Sequence, residues 1–152
     1  MIITFVGHSL VPSGNQIKEE VKNKLRDIIP KEAPVTFYLG GYGNFDKICA
    51  CACRELKIEY KGLELVYVTP YISLSEQEKI KEMLKLKLYD SSIYPPIEST
   101  PPKFAIVKRN RWMIENADLI VAFVNHSYGG AYNSLQIAKR KKKTIINLCD
   151  QV

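Results

Sequence analysis

The sequence feature that most constrains the fold is a continuous apolar run at residues 119–124, followed by a turn and a helical repeat. A short apolar run of branched and aromatic residues without alternation is typical of a strand buried on both faces. The turn ends in Gly129-Gly130, and apolar residues then recur at helical spacing up to a basic run at 139–143. The segment therefore predicts a strand, a tight turn and a helix whose first N–H groups can bind an anion, most often a phosphate.

Strand and helix signals alternate along the whole chain. Buried strands are predicted at 2–6, 35–39, 63–68, 119–124 and 144–148, and helices at 16–29, 45–57, 76–87 and 103–116 and from residue 131 into the basic run. Ser13 or Asn15 is predicted to cap the first helix and Asn44 the second. The alternation predicts one α/β domain over 1–152, a three-layer sandwich around a central, mostly parallel sheet of about five strands. Residues 89–102, with four prolines, are predicted to be a surface loop of the kind that can cover a site.

Small-residue turns follow three of the predicted strands: Gly7-His8-Ser9, a turn at 40–43 and a turn at 127–130. In open parallel sheets the ligand lies beyond the carboxyl ends of the strands, where the strand order reverses. If the strands at 2–6 and 119–124 are neighbours, their turns flank one crevice. Hydroxyls and glycine N–H groups in these turns are then phosphate contacts, whereas His8 is either a site residue or a polar side chain satisfied by its own turn.

Charge and composition leave several partners open. The net charge is +6 and the sequence pI is about 9.1, which suits nucleic acid, a membrane surface or a small anion. The basic run at 139–143 is interpreted first as a solvated helix end that complements the helix dipole. No apolar stretch has the length of a membrane span and no basic leader is present, so a cytoplasmic location without membrane contact is expected. Cys49, Cys51 and Cys53 alternate within a predicted helix and face different directions, so no metal site is predicted.

The order of these motifs resembles a known group of proteins. A first strand ending in VGH is followed by FYLGGYGNFD, KRNRWMIENADLIVAF and YGGAYNSLQIA. This series resembles the YpsA-like branch of the SLOG superfamily, Rossmann-like proteins related to the LOG phosphoribohydrolases and to the DNA-processing protein DprA. The resemblance covers nearly the whole chain and implies a nucleotide or nucleotide-derived ligand at the strand ends. It also implies a homo-oligomer, a dimer or higher assembly.

The resemblance assigns roles to single residues. The LOG pattern R-K-x-x-M is similar to residues 109–113, which places Arg109 over the ligand with Asn110 beside it. The LOG pattern P-G-G-x-G-T-x-x-E is similar to residues 128–136, but its glutamate is Gln136 here. An amide cannot carry charge or take a proton, so LOG-type cleavage of an N-glycosidic bond requires another carboxylate. Glu115 and Asp46 are the candidates, each also explained as an ordinary helix charge.

Three functions follow as expectations. The first is binding of a nucleotide-derived ligand, such as an ADP-ribose-like or cyclic nucleotide signal, as a sensor or sequestering protein in phage–host conflict, with no cofactor beyond that ligand. The second is a nucleotide N-glycosidase with Arg109 and Glu115 as catalytic residues. Binding of single-stranded DNA is ranked last, because the basic residues cluster at a helix end. The predicted ligand-binding residues are Gly7, His8, Ser9, Gly40, Gly41, Asp46, Arg109, Asn110, Ser127, Gly129, Gly130, Ala131 and Asn133.

Overall fold

The computed structural model describes residues 1–12 and 14–149. Its strands are β1 Ile2–Gly7, β2 Val35–Leu39, β3 Leu63–Val68, β4 Ser91–Ile93, β5 Leu119–Phe123 and β6 Thr144–Asn147. Its α-helices are α1 Gly14–Ile28, α2 Gly43–Glu59, α3 Leu74–Lys85, α4 Ala105–Asn116 and α5 Gly130–Arg140, with a single 3-10 turn at Pro102–Phe104. Ser13, one of the two predicted caps of α1, lies outside the described residues, and Asn15 lies inside the helix.

The strands form one sheet in the order β4-β3-β2-β1-β5-β6, and every described pairing is parallel. The predicted α/β fold is therefore confirmed, with a Rossmann-like arrangement of six strands. β1 lies between β2 and β5, and Gly7 at its carboxyl end pairs with Phe123. The strand order reverses at β1, because the chain first builds the sheet on one side of this strand and then crosses to the other. β1 and β5 are thus neighbours, as required for the turns that follow them to flank one crevice.

Two helical layers cover the sheet, and successive residues of β5 show why this strand lacks polar alternation. Leu119, Val121 and Phe123 pack into the core beneath α1 and α2, whereas Ile120 and Ala122 pack beneath α4 and α5. All five residues of the strand are buried. Burial on both faces requires apolar residues at every position, and this is the three-layer arrangement predicted from the run.

The sixth strand, β4, lies in the section that was predicted to be an irregular loop. It has three residues and pairs only with β3, at the edge of the sheet. Asp90 fixes its start, because its backbone N–H donates to the carbonyl of Leu65 and its carboxylate accepts the N–H of the same residue at 2.8 Å. The carboxylate also pairs with Lys57 at 2.6 Å. A three-residue segment with two serines shows no hydrophobic periodicity in the sequence. Its pairing depends instead on the contacts of Asp90 with Leu65 and Lys57, which are distant along the chain.

The start of α2 also differs from the prediction. The helix begins at Gly43, after Tyr42 as its N-cap, so Asn44 lies in the first turn instead of capping it. Gly43 has a φ of 82°, a conformation that favours glycine, and a Cβ there would lie 3.0 Å from the Cα of Ser9. The backbone N–H of Asn44 donates to the carbonyl of Ser9 at 2.9 Å. This contact holds the loop after β1 against the start of α2 and so shapes one wall of the site.

Candidate functional site

A cavity of about 440 Å³ opens at the carboxyl end of β1, where the strand order reverses. Its floor comes from β1, one side from the start of α2, and the others from α4 and from the turn that leads into α5. The lining residues are Thr4, Phe5, Val6, Gly7, His8, Ser9, Leu10, Tyr42, Asp46, Ile106, Arg109, Asn110, Met113, Ile114, His126, Tyr128, Gly129, Gly130, Ala131 and Ser134. This is the position that open α/β sheets use for ligands.

The amino terminus of α5 lies on this cavity and has no side-chain cap. Gly129, the residue before the helix, has a φ of 92°, so a side chain there would be strained. A Cβ on Gly130 would meet no atom within 4 Å, so this residue faces open space. The first intrahelical bond joins the N–H of Asn133 to the carbonyl of Gly129 at 3.0 Å. The backbone N–H groups before Asn133 therefore have no partner within the helix. These groups and the positive end of the helix dipole lie at the cavity wall.

Arg109 lines the base of the cavity but is only 1% exposed. Its Nη1 donates to the carbonyl of Val68 at 2.7 Å and to that of Gly40 at 3.0 Å, and its Nε donates to Oδ1 of Asn110 at 2.9 Å. The ring of Tyr42 lies over the guanidinium, 5.2 Å from its central carbon. Nη1 is thus committed to the ends of β2 and β3, which holds the guanidinium at the base of the cavity. Contact between Arg109 and a ligand stays a prediction.

Asp46 lines the same cavity, one turn into α2. Burial raises the pKa of its carboxyl from 3.8 to about 6, against the opposing effects of Arg109 and of the backbone N–H groups of Tyr42 and Gly40. At neutral pH the group is mainly ionised, yet it takes up a proton within a physiological range. A carboxyl of this kind in a cleft is the type of group that active sites use for proton transfer.

Three aromatic rings are stacked at the mouth of the cavity. The rings of His8 and His126 are 3.7 Å apart and within 11° of parallel, and those of His126 and Tyr128 are 3.9 Å apart at 21°. Nε2 of His8 accepts the backbone N–H of Asn125 at 3.0 Å, which ties β1 to the turn after β5. Burial and the nearby His126 lower the pKa of His8, so both the geometry and the environment favour its neutral form. His8 therefore lines the cavity and is satisfied by the turn after β5, not by its own turn, and its contact with a ligand stays a prediction.

The structure brings together most of the predicted site residues but not all. Lining the cavity are Gly7, His8, Ser9, Asp46, Arg109, Asn110, Gly129, Gly130 and Ala131. Ser127 and Asn133 are exposed and lie outside the lining, and Gly40 and Gly41 lie behind it, against Arg109 and Tyr67. Glu115 also lies outside, on the outer side of α4, where it pairs with Arg111 at 2.9 Å and Lys141 at 3.6 Å. Its placement gives the catalytic assignment of Glu115 no support.

His126 is the site residue that sequence reasoning missed. A signal for it exists, because the chain has two histidines and each follows a strand within three residues of its end. Once those strands are recognised as neighbours, both imidazoles are expected at one crevice. Tyr128 and Ser134 also line the cavity. No pattern in the sequence distinguishes Tyr128 from the other tyrosines.

Among proteins of known sequence, the chain is similar to YoqJ, a protein derived from the SPbeta prophage of Bacillus subtilis strain 168. The two are 27% identical over 148 residues, which cover 85% of this chain and 84% of YoqJ. No protein-family model matches the chain. The similarity to YoqJ thus covers more than four fifths of each protein.

Solved structures share the fold at low sequence identity. DNA processing protein A from Helicobacter pylori, whose single-stranded DNA binding has been described, matches with a TM-score of 0.63 and 16% identity over 100% of this chain and 66% of that protein. DNA processing protein A (DprA) from Streptococcus pneumoniae matches with a TM-score of 0.63 and 15% identity, over 95% of this chain and 49% of that protein. The molybdenum cofactor carrier protein of Chlamydomonas reinhardtii matches with a TM-score of 0.57 and 15% identity, over 96% of this chain and 74% of that protein. The chain therefore spans under two thirds of either DNA processing protein, and the shared feature is the Rossmann-like fold.

Proposed function

We propose that this protein binds a small nucleotide-derived ligand in the cavity between β1, α4 and α5, with a phosphate at the amino terminus of α5. The observation that supports this most directly is the uncapped start of α5 on a cavity at the reversal point of the sheet. The cavity volume of about 440 Å³ suits a ligand the size of a nucleotide. An ADP-ribose-like or cyclic nucleotide signal fits this description, and a sensor or sequestering role in phage–host conflict is consistent with the similarity to a prophage protein.

Thermal denaturation in the presence of candidate ligands tests this proposal. Nucleoside monophosphates, cyclic nucleotides, NAD and ADP-ribose are each added at millimolar concentration, and the expected result is a rise in Tm with at least one of them. Ligand at 100 times its Kd stabilises a protein by about 2.7 kcal/mol. If none of these compounds raises the Tm, the proposed function is wrong.

A pair of charge variants on α5 locates the phosphate. Ala131→Glu places a carboxylate on the cavity wall, whereas Asn133→Glu places one on the exposed side of the same helical turn. Both variants add one negative charge near the positive end of the helix dipole, so their effects on helix stability are matched. We expect ligand affinity to fall at least roughly tenfold in Ala131→Glu and much less in Asn133→Glu, because like charges repel at short range. Equal losses would place the phosphate elsewhere.

A second proposal, binding of single-stranded DNA, is favoured by the fold shared with DNA processing protein A of H. pylori and by the net charge of +6. That neighbour binds single-stranded DNA, which argues against ranking nucleic acid last among the expected partners. Fluorescence anisotropy with a labelled oligonucleotide across a salt series is the test. Phosphate contacts make the logarithm of the affinity fall linearly with the logarithm of salt concentration, by about 0.7 per contact for single strands. Absence of binding at low salt removes this proposal.

A third proposal, nucleotide N-glycosidase activity, depends on Asp46 instead of Glu115. It is favoured by the position of Asp46 on the cavity and by its pKa of about 6. Release of free base from nucleoside monophosphates, followed by chromatography, measures this activity. If release is seen, Asp46→Asn should reduce it roughly 10²–10⁴-fold, the usual contribution of a general acid or base. Activity that survives this change contradicts the assignment of Asp46.

A further inference from the structure

The ring of Tyr128 is unusually placed for a large aromatic side chain. It is 71% exposed, yet it lines the cavity and stacks on His126 with a centroid distance of 3.9 Å. An aromatic ring is normally held in position by burial on both faces. One face of this ring is covered by the imidazole of His126, and the residue as a whole nevertheless stays largely exposed.

The support beneath Tyr128 is a second stacked and more deeply buried ring. His126 stacks in turn on His8, which is only 8% exposed and whose Nε2 accepts the N–H of Asn125. Within the described residues, Nδ1 of His126 is buried without a hydrogen-bond partner, a condition that costs free energy. The orientation of His126 is therefore set by ring stacking and not by a polar bond at that nitrogen. The column His8–His126–Tyr128 fixes the plane of the outermost ring from the interior outwards.

The column also stands next to the proposed phosphate position. Tyr128 precedes Gly129, the cap of α5, and both residues line the cavity together with Gly130. A ligand with its phosphate at the start of α5 and a planar ring a few ångströms away therefore meets the helix amides and the column at once. Leu10, which is also exposed and also lines the cavity, adds apolar surface.

We propose that the outer face of Tyr128 is a stacking platform for the base of the ligand, so that the protein selects base-containing nucleotides over sugar phosphates. This inference rests on the proposed function and adds the part of the ligand that is recognised. Stacking of a base on an aromatic side chain is tolerant of base identity, because every base has a π-face. The structure thus assigns the column to recognition of an aromatic base in general, and the preference among bases is expected to be small.

Two probes separate the base from the phosphate: adenosine 5′-monophosphate and ribose 5-phosphate, with affinities measured by isothermal titration calorimetry. We expect wild-type protein to bind the nucleotide at least about tenfold more tightly, since loss of one base–aromatic contact costs roughly 5-fold to 150-fold. Equal affinities for both probes overturn the platform and leave the proposed function intact. Binding of neither probe overturns the platform, and it overturns the proposed function as well where cyclic nucleotides, NAD and ADP-ribose also leave the Tm unchanged.

Variants of Tyr128 and Tyr42 complete the test. Tyr128→Phe keeps the ring and should bind both probes as wild type does, whereas Tyr128→Leu keeps apolar bulk and should lose about tenfold for the nucleotide alone. Tyr42 is the matched control, because it also lines the cavity but its ring lies against Arg109 and Lys79. Tyr42→Leu should leave the ratio of the two affinities unchanged. If Tyr42→Leu lowers that ratio and Tyr128→Leu does not, the base lies at the other wall and the proposal is wrong.

Discussion

Arg109 brings a charge into the interior, where its N–H groups need partners. The carbonyls of Gly40 and Val68 both accept from its Nη1. The negative charge of Asp46 favours the charged form of the guanidinium and so opposes the lowering of its pKa by burial. In Arg109→Ala both carbonyls lose this donor, Asp46 loses its cation and a cavity opens. We expect the free energy of unfolding to fall by about 3–5 kcal/mol, measured by urea denaturation. Arg111→Ala, an exposed arginine two residues later, should cost less than about 0.5 kcal/mol. Similar losses in the two variants would contradict the buried role of Arg109.

Asp46 predicts a pH dependence whose sign follows from its raised pKa. The folded protein holds this proton up to about pH 6, whereas the unfolded chain releases it near 3.8. The contribution of Asp46 to stability is therefore present below pH 4 and is lost as the pH rises to 6. Asp46→Asn should match wild type near pH 4 and exceed it at pH 7 by on the order of 2 kcal/mol.

Urea denaturation at a series of pH values measures this difference. Asp27→Asn, at an exposed aspartate of α1, is the control for the general effect of removing a carboxylate. A difference between Asp46→Asn and wild type that stays constant from pH 4 to pH 7 would show that burial does not raise the pKa of Asp46.

At the scale of elements, two glycines assigned to the same role in the sequence turn out to serve different purposes. A Cβ on Gly7 would lie 2.2 Å from Cδ2 of Phe45, in the packed contact between β1 and α2, whereas a Cβ on Gly130 meets no atom within 4 Å. Gly7→Ala should therefore lower the free energy of unfolding by roughly 1–3 kcal/mol through overpacking. Gly130→Ala should change it by less than about 0.5 kcal/mol. Thermal denaturation compares them, and a destabilised Gly130→Ala would mean that the start of α5 is tighter than the structure shows.

The same scale explains what the sequence could and could not predict. The five longer strands and five helices were expected within about two residues at each end, because each buries an apolar face that leaves a periodic signal. The short strand at Ser91–Ile93 was missed, since its pairing depends on Asp90 and Leu65. The buried hydrogen bonds of Arg109 were not predicted either, because periodicity places a residue on a helix face but does not say whether its charge finds carbonyls in the interior.

At the scale of the whole molecule, the position of each strand in the sheet predicts its resistance to opening. β1 is flanked by β2 and β5 and covered by helices on both faces, whereas β4 pairs on one side only and its three residues are half-buried. Local opening requires less free energy where few buried contacts and hydrogen bonds are broken. Amide hydrogen exchange should therefore be at least roughly tenfold slower in β1 and β5 than in β4.

Amide hydrogen exchange in the presence of adenosine 5′-monophosphate tests where the ligand binds. A ligand at the end of β1 should slow exchange at 8–10 and 126–132, which surround the cavity, because opening there must first release it. The amides of β4, three strands away from β1 across the sheet, have no contact with the cavity and should keep their rates apart from any global opening. Slowing confined to β4, or spread over the basic run at 139–143, would place the binding surface on another part of the molecule and contradict the cavity as the site.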